Sequence, residues 1–329
     1  MPATPTPPPV ASPGAGGPTL HIVINAGSGR QNSDATQAVI AGVLGDAQRA
    51  YRFHRADDPA QLPEIARGAV AAAQADRGVV VAAGGDGTIN AVAQAVLGSG
   101  CEFGVLPQGT FNYFSRTHGI PADTAQAARV LVTGTARPVQ VGLVNDRVFL
   151  VNASLGLYPK LLEDREAFKR QFGRSRLVAF GAGLVTLFGV HRKLRLHFEY
   201  GSLAHKVRTP TLFVGNNRLQ MEQIGAAGAF ERGHLAAITL RPVGTFGMLG
   251  LLLHGALSRL ADAENVESFG FDHLSVRPAR FRRVKPIKVA TDGEVSWLEP
   301  PLEFRVSPVP LQLLVPTSTA MAEGTRGAA

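Results

Sequence analysis

Seven residues, Gly84-Gly85-Asp86-Gly87-Thr88-Ile89-Asn90, follow directly on the apolar run Gly78-Val79-Val80-Val81-Ala82-Ala83. Their types suit the binding of an anion such as a phosphate. Glycines let the main chain turn tightly and approach a ligand, and a helix starting here directs its free N–H groups and positive dipole end at that ligand. Thr88 is placed to cap such a helix. Asp86 is the odd member: beside phosphates a carboxylate is repelled unless it meets a metal, a ribose hydroxyl or a proton to be moved. The bland alternative is a strand, turn and helix that bind nothing.

The elements around this motif follow from the pattern of the chain. From Leu20 onward short apolar runs alternate with amphipathic stretches, as in parallel βαβ units. Strands are expected at Leu20–Ala26, Tyr51–His54, up to the glycine loop, and at Glu102–Leu106. Helices are expected at Asp34–Leu44, Pro59–Asp76 and Ile89–Leu97. Three strand ends then carry polar, glycine-bearing loops: Asn25-Ala26-Gly27-Ser28-Gly29, the 84–90 motif, and Pro107-Gln108-Gly109-Thr110-Phe111-Asn112. In an open parallel sheet, ligands lie at the carboxyl ends of the strands, so the three loops can line one nucleotide crevice.

After about Pro138 the texture changes to alternating segments: Val139–Val144, Arg147–Ala153, Leu194–Tyr200, Arg208–Gly215, Leu235–Leu240 and Ser268–Val276. These predict a second, largely antiparallel β domain. Helical stretches at 161–190 and 245–260 interrupt it. Leu302–Val306 and Leu311–Val315 are further strand candidates, close to a second acidic turn, Thr291-Asp292-Gly293-Glu294.

Several common chemistries are missing. No Gly-x-Gly-x-x-Gly follows the first strand, and Gly29 is followed by Arg30-Gln31-Asn32-Ser33 rather than a Walker A lysine. No nucleophile elbow or protein-kinase catalytic loop occurs. The nine histidines form no His-Glu-x-x-His pair and read as surface or packing residues.

In order and spacing, the three loops resemble those of the diacylglycerol-kinase-like lipid kinase family. Asn25-Ala26-Gly27-Ser28-Gly29 is similar to its Asn-Pro-x-Ser-Gly loop, with alanine for proline. Gly84 to Asn90 matches Gly-Gly-Asp-Gly-Thr-x-Asn in full. Pro107 to Arg116 is similar to Pro-x-Gly-Thr-x-Asn-x-x-x-Arg. The likeness continues through Asn145 to Tyr158, Phe213 to Asn217 and Asp292-Gly293-Glu294, and so spans roughly Leu20 to Pro316.

The resemblance implies an α/β N-terminal domain like that of NAD kinase and phosphofructokinase, with a three-layer parallel sheet, and a C-terminal antiparallel β-sandwich-like domain. It implies ATP and Mg²⁺ as cofactors, held by the glycine-rich loops between the domains, and transfer of the γ-phosphate to a hydroxyl of a diacylglycerol-like or sphingoid lipid. The nucleotide contacts carried over are Asn25, Ser28, Gly29, Gly84, Gly85, Asp86, Gly87, Thr88, Asn90, Gly109, Thr110 and Asn112. Asp86 would position Mg²⁺ through water or serve a proton relay, and Glu294 would be the general base at the lipid hydroxyl. NAD kinase, and an inactive nucleotide- or lipid-binding regulator, are the competing readings. This chain departs from the family pattern at Gln140, where many members have aspartate, at Glu231-Arg232-Gly233, where they have a metal-binding Asp-Asp-Gly, and at Tyr113.

With 329 residues and 45% hydrophobic content, the chain is long enough for two cores. The expected division is a Pro/Ala/Gly-rich disordered arm (1–18), a nucleotide-binding domain (19–137, joined by a returning strand at 308–316), a β-rich lipid-binding domain (138–307) and a disordered tail (317–329). The arm has no charged or apolar section of a secretion signal. A formal charge of +8 favours an anionic partner, and a peripheral anionic membrane surface suits it. No Lys/Arg block with interleaved aromatics, zinc-finger spacing or basic recognition helix is read in the chain, so nucleic acid is not expected. The apolar segments 177–190 and 246–257 fall short of a membrane span. The lone Cys101 reads as a small core residue in a reducing compartment. The expectation is therefore a cytoplasmic, peripherally membrane-associated protein, for which a homodimer is left open.

Overall fold

The computed structural model describes residues 17–25, 33–156, 194–200, 203–223, 233–241, 266–279 and 285–317. The expected arm, the helices at 161–190 and 245–260, Ser28, Gly29, and Glu231-Arg232 lie outside the described residues, wholly or nearly so. The chain forms two units, residues 1–139 with 309–329 and residues 140–308.

In the first unit the elements run β1 (Leu20–Asn25), α1 (Ser33–Asp46), β2 (Tyr51–Ala56), α2 (Leu62–Asp76), β3 (Val79–Gly84), α3 (Asp86–Val96), β4 (Glu102–Pro107), α4 (Tyr113–Thr117), α5 (Thr124–Thr133) and β5 (Thr135–Val139). The last strand of the chain, β18 (Leu311–Val315), completes a sheet of order β2-β1-β3-β4-β18-β5. Strands β2, β1, β3, β4 and β18 are parallel to their neighbours, and β5 runs antiparallel to β18. Helices cover both faces, α2 pairing with α3 and α1 with α5, as right-handed crossovers to either side of β1 require. Burial on both faces explains why every residue of β1 and β3 is buried, β3 as an unbroken apolar run and β1 with His21 and Asn25 among its apolar residues.

Local chemistry sets the helix ends. Asp58 accepts from the Ala60 N–H at 2.9 Å and starts a short 3-10 turn at Pro59–Gln61, so the expected helix from Pro59 begins at Leu62. Asp123 caps α5 through the Gln126 N–H at 2.8 Å. On β1, the buried His21 bonds to Asp76 through Nε2 (3.0 Å) and to His54 Nε2 through Nδ1 (3.1 Å). Burial first, and then His21 and Arg52, push His54 down to about 4.

The second unit contains β6 (Gly142–Val144), β7 (Arg147–Phe149), β8 (Asn152–Gly156), β9 (Leu194–Tyr200), β10 (Leu203–Thr209), β11 (Thr211–Gly215), a short helix α6 (Arg218–Gln223), β12 (Leu235–Leu240), β13 (Val266–Phe271), β14 (His273–Pro278), β15 (Ile287–Thr291), β16 (Glu294–Leu298) and β17 (Leu302–Val306). They form two antiparallel sheets, β10-β9-β14-β17-β6-β7 and β13-β12-β11-β8-β15-β16. One apolar cluster draws on both, with Phe149, Leu196, Phe198, Leu274, Leu302 and Phe304 from the first and Leu155, Leu212, Val214, Leu235 and Val289 from the second.

Three runs that read as single strands are two strands each, one in either sheet. The 208–215 run breaks at Pro210, which cannot donate to a ladder; Thr209 Oγ1 accepts from the N–H groups of Thr211 and Leu240, each at 3.2 Å. The 147–153 run breaks at Leu150-Val151, and the 268–276 run at Asp272.

Candidate functional site

The carboxyl ends of β1, β3 and β4 are neighbours in the sheet, which brings Asn25 and the loops after β3 and β4 to one end of it; residues 26–29 of the first motif lie outside the described residues. The 84–90 motif is the end of β3 and the first turn of α3. That helix starts at Asp86, three residues earlier than the apolar pattern indicates, and Gly85 is its N-cap. Thr88 is therefore inside the first turn and does not cap the helix, contrary to expectation. Its hydroxyl accepts from Asn25 Nδ2 at 3.4 Å, tying the end of β1 to α3. No side chain caps α3, and the first helical bond runs from the Ile89 N–H to the Gly85 carbonyl at 3.0 Å. The amides of Gly87 and Thr88 precede that bond, so no intrahelical carbonyl takes them. Together with the helix dipole, they form a site for negative charge. The half-buried Asp86 stands at the same end.

The loop after β4 is built against this helix start. The Gln108 N–H donates to the Gly84 carbonyl at 2.8 Å. Asn112, in the left-handed region at φ 47°, folds its side-chain amide back on Gly109: Oδ1 accepts from the Gly109 N–H and Nδ2 donates to the Gly109 carbonyl, both at 3.0 Å. Asn112 thus closes the loop. A Cβ on Gly109 would lie 2.7 Å from Asn112 Oδ1 and 3.2 Å from the Gly85 Cα, and one on Gly84 would lie 2.6 Å from Thr88 Oγ1. Only glycine lets the two loops meet. Thr110 is exposed, while Asn90 is half-buried on α3. The side-chain nitrogen of Gln108 is buried with no hydrogen-bond partner among the described residues, which fits a ligand acceptor. The open helix start, the glycine cradle and this orphaned donor all suit a phosphate-bearing nucleotide such as ATP. Below the loop, burial against Phe114, whose ring stands edge-on at 4.8 Å, pushes His118 down to about 4.

In the second unit, Asp292-Gly293 forms the two-residue turn between β15 and β16, both residues at positive φ (48° and 93°). The Asp292 carboxylate accepts three backbone N–H groups, from Leu150 to Oδ2 at 2.7 Å and from Val151 and Asn152 to Oδ1 at 2.9 Å each. Glu294, two residues on, is exposed, and its carboxylate has no hydrogen-bond or ion-pair partner among the described residues. Gln140, where the family pattern has aspartate, uses its amide fully: Nε2 donates to Asn216 Oδ1 (2.8 Å) and to the His234 carbonyl (3.0 Å), and Oε1 accepts from the Gly233 N–H (2.8 Å). An aspartate would lack the two donors. Spacing along the chain does not announce the locking roles of Asp292, Gln140 and Asn112. The run Arg280-Phe281-Arg282-Arg283-Val284-Lys285 is a basic block with an aromatic in it, against the expectation of none. Trp297 is exposed, and its ring lies 4.9 Å from the Lys288 ammonium.

Among the described residues there is no cluster of three or more His, Cys, Asp or Glu that could hold a metal ion, and no helix long and apolar enough to cross a membrane. A cavity of about 370 Å³ lies at the amino ends of β3 and β4, lined by Gln74, Arg77, Ser99, Cys101 and Glu102 among others. It is at the opposite edge of the sheet from the glycine loops and takes no part in their chemistry.

At the family level, residues 19–144 match the diacylglycerol kinase catalytic domain. The chain is 30% identical over 305 residues to a Pseudomonas aeruginosa protein named as a probable lipid kinase, YegS-like, covering 88% of this chain and 92% of that one. The Synechocystis sp. protein sll0036 is 28% identical over 253 residues, 73% of this chain, and the chain spans about half of that relative's length (55%). Among solved structures, a diacylglycerol kinase from Bacillus anthracis str. Sterne superposes with a TM-score of 0.65 at 16% identity, over 92% of this chain and 97% of that chain. At that identity the fold is what is shared. The chain belongs to the diacylglycerol-kinase-like lipid kinase family, a class of phosphotransferases with an alcohol acceptor.

Proposed function

We propose that this protein transfers the γ-phosphate of ATP to a hydroxyl of a diacylglycerol-like or sphingoid lipid. The observation that carries the reading is the meeting of Asn25 at the end of β1 and the loops after β3 and β4 around the uncapped start of α3. The amides of Gly85, Gly87 and Thr88 hold phosphate oxygens, and Asn25 and Thr110, with Ser28, offer neutral polar groups. Bound ATP with Mg²⁺ supplies the electrophilic phosphorus and neutralises the charge that develops on it. Asp86 is the carboxylate placed to meet that ion through water.

Glu294 is assigned the role of general base, taking the proton of the acceptor hydroxyl. Support comes from its exposed carboxylate on a turn whose geometry Asp292 fixes. Action at an anionic membrane surface is supported by the charge of +8 and by Trp297 beside Lys288 on an edge strand, since indole and ammonium together favour a lipid headgroup layer.

The test is phosphoryl transfer from radiolabelled ATP to extracted lipids, with NAD as a competing acceptor. A labelled lipid is expected. Labelled NAD, or ATP binding with no labelled lipid, would overturn the reading in favour of a NAD kinase or an inactive binder.

A further inference from the structure

Phe111 and Tyr113 stand on either side of Asn112 in the loop after β4. Their rings are parallel and offset, with centroids 5.9 Å apart and planes 6° from parallel. Phe111 is 51% exposed, one of few large apolar side chains so exposed among the described residues. The loop backbone that carries it is held by the two Asn112 amide bonds to Gly109. The loop that carries it lies against the open start of α3: a Cβ on Gly109, two residues before Phe111, would lie 3.6 Å from the Asp86 nitrogen.

A phosphate has no use for such a pair. A phenyl ring offers an anion no donor, and ring surface exposed beside a polar loop stays in water until a ligand offsets that cost. The ligand that offsets it is an acceptor with a hydroxyl at one end and hydrocarbon immediately behind: when the hydroxyl meets the phosphate at α3, the hydrocarbon lies on the rings. We propose that the Phe111–Tyr113 stack is the seat of the apolar body of the acceptor next to its reacting hydroxyl, and that it selects lipid alcohols over water-soluble ones. The inference rests on the lipid kinase reading and adds the side chains that contact the acceptor.

The test compares the wild type with Phe111→Ala/Tyr113→Ala and with Phe111→Leu, which keeps apolar area. KM is measured for ATP and for a diacylglycerol dispersed in mixed micelles, with glycerol as a water-soluble acceptor. Loss of the ring surface is expected to raise the KM for diacylglycerol on the order of 10-fold in the double variant. The KM for ATP should stay where it is, Phe111→Leu should remain within about 3-fold of wild type, and the preference for diacylglycerol over glycerol should fall in parallel. A rise in the KM for ATP with the diacylglycerol KM unchanged would assign the rings to the nucleobase and overturn the inference. So would three enzymes with identical constants, which leaves the kinase reading intact. A wild type that phosphorylates no lipid overturns both.

Discussion

The two units each present a set of backbone N–H groups to a negative charge, and they differ in where the charge comes from. At the start of α3 the amides are left open, with no side-chain cap, and the glycines around them keep the approach clear. At the β7–β8 corner three amides converge in the same manner, and the protein fills them with its own carboxylate, Asp292. The same device is thus left open in one unit and closed as a structural lock in the other. Within the acidic turn at 292–294, the aspartate is committed to the fold and the glutamate is exposed.

Substitutions in the turn separate the two roles, and the largest effect is expected at Glu294. Glu294→Gln should lower turnover by about 10²- to 10⁴-fold with the melting temperature unchanged, as loss of a general base does. A variant near the wild-type rate would remove Glu294 from the chemistry. Asp292→Ala should do the reverse of that pattern in its first effect: it strands three amides and costs about 3 kcal/mol or more in a urea titration. Equal stability of wild type and variant would show that Asp292 is not a lock.

The open site was largely legible in the sequence because its demands are local. A turn that brings Gly84 against Thr88, or Gly109 against Asn112, needs glycine, and each partner lies within four residues. The parallel sheet was legible for a similar reason, since strands buried on both faces are largely apolar runs. The lock was not legible, because its acceptor and donors are 140 to 142 residues apart. Nor were the sheet corners: at Pro210 and Leu150-Val151 the chain passes from one sheet to the other while its apolar alternation continues, so pattern alone reads one strand. The start of α3 was misplaced because its first turn is Asp-Gly-Thr, residues chosen for the ligand side rather than for a helical apolar stripe.

A smaller effect tests the support of the open site from beneath. His118 stays neutral in the fold down to about 4, against an ordinary 6.5. Because the unfolded chain binds the proton first, the contribution is fully present above pH 6.5 and is lost as pH falls towards 4. It is worth about 3 kcal/mol. His118→Gln should remove about half of the pH dependence of stability across that window, the rest coming from His54, which is likewise pushed down to about 4, and an unchanged slope would show that His118 contributes none of it. The smallest effect is expected for Gly109→Ala, whose Cβ meets the Asn112 amide and the Gly85 backbone. It should cost about 1–3 kcal/mol and weaken triphosphate binding, whereas Gly98→Ala, at a positive φ with open space around it, should strain its turn without touching binding.

The contrast between open and filled amides can be read directly from backbone amide resonances during titration with tripolyphosphate. The account predicts that the N–H signals of Gly85, Gly87 and Thr88 move saturably while those of Leu150, Val151 and Asn152 stay in place. Movement at 150–152 with none at 85–88 would contradict it.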